Sequence, residues 1–147
     1  MLAWVPELSV GWPEIDDQHV DLVRRAAEIQ DLVRARDAPG AAGLLDAFLE
    51  ATVRHFATEE ELMERSQYGE RSAHRGAHDL FLQDLHGLAV ELSAAGLTET
   101  VVDWAIVRMP EWLTFHIQTN DAPLGRHLRR QLARAGERRP PGPAPDA

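Results

Sequence analysis

Four stretches of this chain repeat apolar residues at intervals of three and four, and each stripe is interrupted by a histidine. Of the four, the stretch RHFATEEELMERSQYGERSAHRGAHDLF (Arg54 to Phe81) makes the point most sharply. His55 precedes Glu59 by four residues and His74 precedes His78 by four, so each pair stands on one face of a helix about 5–6 Å apart at Cβ. The stripes read as core-facing, and few folds tolerate so many imidazoles inside. Alternating β-branched runs are absent, and the chain has only one Tyr and four Phe, so the helical period governs.

The periodicity predicts a first helix starting near Asp16 or Asp17 with Ile15, His19, Leu22, Ala26, Ile29 and Val33 on one stripe, ended by DAPG (Asp37 to Gly40). A second runs from about Ala41 to Arg65 with Leu45, Phe48, Thr52, His55 and Glu59 in line. A third runs from about Glu70 to Ala94, aligning His74, His78, Phe81, Leu85, Leu88 and Leu92, and stops at Gly96. The fourth opens near Thr98 and brings Val102, Met109, Leu113 and His116 to one side. Short links between long amphipathic helices make neighbours antiparallel, so the expected fold is all-α, an up-down-up-down four-helix bundle. PLGRHLRRQLARA (Pro123 to Ala135) adds a short fifth helix with Leu124, Leu128 and Leu132 in register. Residues 1–135 are read as the bundle, and residues 136–147, ending in RRPPGPAPDA, as a disordered proline-rich tail.

Burying five imidazoles and a carboxylate without partners would cost roughly 1–3 kcal/mol per unsatisfied group, comparable in sum with the stability of a whole domain. A metal converts that liability into binding energy. Without cysteine, its ligands can only be nitrogen and oxygen. The last helix adds Asp121, five residues after His116 and therefore turned away from it in a regular helix. Pro123 disfavours helical geometry at Ala122, so the helix is expected to widen into a π-type turn there, bringing the carboxylate back. Five imidazoles and two carboxylates exceed one ion's needs. Two ions sharing both carboxylates divide the imidazoles three and two. A bridging solvent oxygen then leaves one ion six-coordinate and the other five-coordinate, with an open position. This donor set favours iron over tetrahedral zinc, with manganese and zinc left open.

With W followed by VGWPEIDDQHVDL, then HFATEEELM, then Y followed by HRGAHDLF, and WLTFHIQTND, the chain resembles the hemerythrins in their single-domain bacterial form, from Trp4 to about Leu128. The resemblance implies two iron ions. His74, His78 and His116 would hold one, and His19 and His55 the other. Glu59, Asp121 and an oxo or hydroxo group would bridge them, and dioxygen would bind at the ion carrying His19 and His55. It also implies a dry oxygen pocket covered by Leu113, with Trp112 and Met63 nearby. His86 and His127 fall outside the ligand pattern and are read as surface or supporting positions. Pro110, inside the fourth helix, is expected to remove the hydrogen bond to Ile106 and bend the helix while His116 stays in place.

The expected function is reversible dioxygen binding for storage, delivery or sensing, without catalysis. The alternative is a di-iron peroxidase or a scavenger of nitric oxide or peroxide. Fifteen basic residues, all Arg, against 24 acidic ones argue against nucleic-acid or anionic-membrane partners. With no long apolar run and no basic, apolar leader, a cytoplasmic location is expected. No protein partner is indicated.

Overall fold

A computed structural model describes residues 2–138 of the chain. Among them there is no strand. After a short turn of 3-10 helix at Pro6–Leu8 come α1 (Pro13–Arg34), α2 (Ala38–Arg65) and α3 (Arg71–Ala95). The fourth rod is continuous but changes register twice. It consists of α4 (Glu99–Asp103), a π turn (Trp104–Arg108), α5 (Met109–His116), a second π turn (Ile117–Asp121) and α6 (Ala122–Arg138).

Several boundaries differ from the expected ones, for local reasons. Helix α1 begins at Pro13, behind Trp12 as N-cap, because proline's missing N–H goes unnoticed in a first turn. Asp16 does not cap the helix. Its carboxylate accepts from Ser9 Oγ at 2.6 Å and Val10 N at 2.8 Å, which ties the N-terminal segment onto α1. DAPG opens α2 rather than ending α1: Asp37 is the N-cap, accepting from Gly40 N at 2.9 Å. The third helix ends at Gly96 with φ of 76°, a conformation that favours glycine. Thr98 caps α4 through Val101 N at 3.2 Å.

The fifth helix is not a separate piece, because the π turn at Ile117–Asp121 carries the backbone through Pro123 into α6 without a break. Leu124 and Leu128 are buried, but Leu132 is exposed, since α6 outruns the body it packs on. Residues 136–138 belong to α6 rather than to a tail, and the remainder of the expected tail lies outside the described residues. Gly125 lets α6 approach the N-terminal segment closely, since a Cβ there would sit 2.1 Å from Val10 O.

The core has two parts. The larger contains Leu22, Ala26 and Ile29 of α1, Phe48 and Phe56 of α2, Phe81 and Leu85 of α3, and Met109 and Leu113 of α5. The smaller gathers Leu8, Val10, Ile15, Met63, Ile117, Leu124 and Leu128. Along α2 and along the fourth rod the chain passes from the larger core to the smaller (Phe56 then Met63; Leu113 then Ile117), whereas α1 passes the other way (Ile15 then Leu22). The alternation is that of an up-down-up-down bundle. Between the two apolar cores lies a layer of polar side chains.

Pro110 sits in the first turn of α5, directly after a π turn. In an α-helix its ring would clash with the carbonyl of Ile106. Here the register widens one residue earlier, so that Met109 N–H reaches back to Trp104 O. The next acceptor, Ala105 O, would need the N–H that Pro110 lacks. Gln30 of α1 supplies it instead, Nε2 donating to Ala105 O at 3.0 Å in the buried interior. The second π turn obeys the same grammar: Ala122 N–H bonds Ile117 O, and Pro123 follows.

Candidate metal centre

The polar layer contains His19, His55, Glu59, His74, His78, His116 and Asp121, none more than 3% exposed. Each rod contributes at a helical spacing. His19 stands on α1, one turn from Ile15 and Leu22. His55 and Glu59 are four apart on α2, with Nε2 and Oε1 at 2.9 Å. His74 and His78 are four apart on α3, with ring centroids 4.6 Å apart. His116 and Asp121 span the second π turn, which closes the awkward spacing of five and brings Nε2 to 3.1 Å from Oδ1.

These donors form two groups, within each of which the ligand atoms lie within 4.8 Å of one another: Glu59, His74, His78, His116 and Asp121 in one, and His19, His55, Glu59 and Asp121 in the other. The carboxylates belong to both, and they divide their oxygens between them. Glu59 turns Oε2 to His74 and His78, each at 3.1 Å, and Oε1 to His55 at 2.9 Å. Asp121 turns Oδ1 to His74 at 3.0 Å and His116 at 3.1 Å, and Oδ2 to His19 at 2.9 Å.

Such distances suggest hydrogen bonds, yet Nε2 of His19, His78 and His116 have no aligned hydrogen-bond partner, nor do Glu59 Oε1 and Asp121 Oδ1. Two donors each about 2.1 Å from one ion are separated by ~3.0 Å when they subtend a right angle and ~3.4 Å at a tetrahedral angle. Six of the spacings, at 2.9–3.1 Å, match the right angle, and His19 Nε2 to Glu59 Oε1, at 3.6 Å, is wider. These buried, unpartnered donors fit a metal centre.

Supporting side chains orient the rings. Gln18 Oε1 accepts from His55 Nδ1 at 2.6 Å, leaving Nε2 with its lone pair toward the centre. The direction of that amide is set by relay. Thr58 Oγ1 gives its proton to Arg54 O and so accepts from Gln18 Nε2 at 3.1 Å. Phe56 lies flat on His78, centroids 3.7 Å apart and planes 5° apart. Trp112 lies flat on His116 at 4.4 Å and 10°. Gln18 directly precedes His19 and Phe56 directly follows His55, adjacency being their only signal in the sequence. Gln30 gave none.

In the absence of metal the carboxylates and imidazoles hold one another. Burial pushes His19 and His74 toward the neutral form, but the hydrogen bonds and charges of Asp121 and Glu59 outweigh it and raise both to about 9. Burial dominates at His78, whose pKa is lowered. Glu59 and Asp121 feel burial and, for Asp121, the charge of Glu59 raising their pKa, yet the surrounding imidazoles keep both well below the ordinary carboxylate range.

Of the expected pocket residues, Leu113 belongs to the larger core with Trp112 packed against it, and Met63 belongs to the smaller core, one turn past Glu59. His86 is exposed. His127 bonds Ser66 O at 3.1 Å and packs on Tyr68, anchoring α6 to the α2–α3 connection. No described helix is long and apolar enough to cross a membrane.

Residues 10–128 match the family model described as the hemerythrin HHE cation binding domain. The chain is 31% identical over 121 residues to a bacteriohemerythrin of Pseudomonas aeruginosa, covering 82% of this chain and 77% of that one. It is 32% identical over 119 residues to the myohemerythrin of Sipunculus nudus, covering 81% and 87%. Crystal structures of hemerythrin with one leucine replaced by tyrosine or by alanine share the fold at a TM-score of 0.80 and 23% identity, over 87% of this chain and 97% of theirs.

Proposed function

Because this chain belongs to the hemerythrin family, we propose that it binds dioxygen reversibly at a non-heme pair of iron ions. His74, His78 and His116 hold one ion, His19 and His55 hold the other, and Glu59 and Asp121 bridge them together with a solvent-derived oxygen. The observation that carries this reading is the division of oxygens: each carboxylate sends one to the three-imidazole group and one to the two-imidazole group. With a solvent bridge, three imidazoles and two carboxylate oxygens would supply six donors to one ion; the group of His19 and His55 would supply one fewer, leaving the position that dioxygen would take.

When bound, the iron pair supplies the electrons that reduce oxygen reversibly. The protein's part is to hold the ligands and exclude water. Gln18 fixes His55 beside the open position, and Leu22, Phe56 and Leu113 close the interior over the polar layer. Five imidazoles outnumber two carboxylates in this donor set, which favours reversible binding over attack on a substrate. Storage, delivery and sensing use the same site.

The test is an anaerobic reduction followed by admission of air, with visible spectra and iron quantified on one sample. The expected result is two irons per chain and a spectrum that changes with air and returns on deoxygenation. Fewer than two irons, or an unchanged spectrum, would refute it. Sustained turnover of peroxide with a reductant would favour the peroxidase or scavenger reading instead.

A further inference from the structure

A run of rings leads from His116 towards the surface. Trp112, four residues before His116 on α5, lies on the imidazole at 4.4 Å and 10°. Phe81 of α3 lies on the other side of Trp112 at 3.8 Å and 14°. Trp104, in the first π turn, continues the stack from Phe81 at 6.2 Å and 28°. Both indoles and Phe81 line a surface groove of about 430 Å³ that also includes the exposed Phe115.

We propose that the stack Trp104, Phe81, Trp112, His116 is the route by which single electrons pass from a one-electron reductant at this groove to the metal held by His74, His78 and His116. The proposal rests on the di-iron reading. Electron tunnelling falls steeply with distance and with gaps between orbitals, so the close stacks of Phe81 on Trp112 and Trp112 on His116, with Trp104 one wider step beyond, outcompete routes through saturated side chains. The stack is one-sided. On the two-imidazole group, His19 and His55 meet edge to face and His55 meets Phe56 tilted at 5.9 Å, with no indole lying on either. Electrons thus arrive at the ion without the open position, away from bound gas. Two such transfers return an oxidised ferric pair to the ferrous state, the reductant losing one electron each time, with no atom transferred.

The chain has no cysteine, so Asp84→Cys on the rim of the groove takes a single ruthenium polypyridyl label. In the iron-loaded, oxidised protein, a reducing flash is followed by bleaching of the ferric absorption. Compared at equal bound iron per chain, folded Phe81→Leu, Trp112→Leu and, further from the metal, Trp104→Leu should each slow electron arrival by tenfold or more. Trp112→Phe, which keeps a flat ring, should remain within threefold of the parent. A label placed at Asp31→Cys on α1 should show no dependence on these substitutions. Repeating the flash with cupric ion in the site, read by loss of its electron paramagnetic resonance signal, needs neither iron nor oxygen binding and decides the inference even if the di-iron reading fails. Parent-like rates in the folded leucine variants would overturn it and leave the rings with packing alone.

Discussion

The pairing of Gln30 with Ala105 O yields a quantitative test of how the fourth rod accommodates its proline. Both residues are 2% exposed; Met109 N–H goes to Trp104 O, Pro110 has no N–H to offer, and Gln30 Nε2 donates to the carbonyl. In Gln30→Leu that carbonyl is left unpaired in the interior, which costs about 1–3 kcal/mol. The same substitution removes Gln30 Oε1, itself without a hydrogen-bond partner, and so recovers part of the loss. The expected net destabilisation is roughly 1 kcal/mol. Pro110→Ala restores a backbone donor at the position that faces Ala105 O. In that background Gln30→Leu should cost less, and the two substitutions should couple by about 1–2 kcal/mol. Urea denaturation of the parent, both single variants and the double variant, all metal-free, closes the cycle. Coupling below about 0.5 kcal/mol would show that the carboxamide is not standing in for proline's missing N–H.

Four further outcomes are expected. In metal-free protein, His19 and His74 are raised from 6.5 to about 9, so their protonated forms stabilise the fold fully below pH 6.5 and that contribution is lost as pH rises through 9. The difference is on the order of 3 kcal/mol for one imidazole and less than twice that for both, since they share the same two carboxylates. Denaturation in chelator from pH 6 to 10 should show stability falling, and a flat or rising profile would contradict the ligand cage as drawn. Metal binding should strengthen with pH over the same range, because it requires the neutral imidazoles. Gln18→Leu frees the His55 ring from its hydrogen bond and should weaken metal binding about 10–100-fold, measured by competition with a chromophoric chelator. Gly125→Ala places a methyl against Val10 O at 2.1 Å and should lower stability by roughly 1–3 kcal/mol. An unchanged melting temperature would mean that α6 does not rest on the N-terminal segment.

Amino-acid order alone determined the helical class and the places where imidazoles interrupt the apolar stripes, because both follow from a period of 3.6 that any local window reveals. Even the π turn before Asp121 was legible, since a five-residue spacing followed by Ala122 and Pro123 allows no regular helix to bring Asp121 back to His116. Pro110 gave the right warning but not the remedy: the π register carries Met109 N–H back to Trp104 O, and Ala105 O is served by a glutamine 75 residues away in sequence. Met63, one turn past Glu59, packs in the smaller core, because one turn of helix decides which of two cores a side chain enters. The division of each carboxylate's oxygens, the amide holding His55 and the rings stacked on His116 required the folded chain. Those relations link separate rods, and their geometry depends on how deeply each rod packs against its neighbours, which spacing along one chain does not specify.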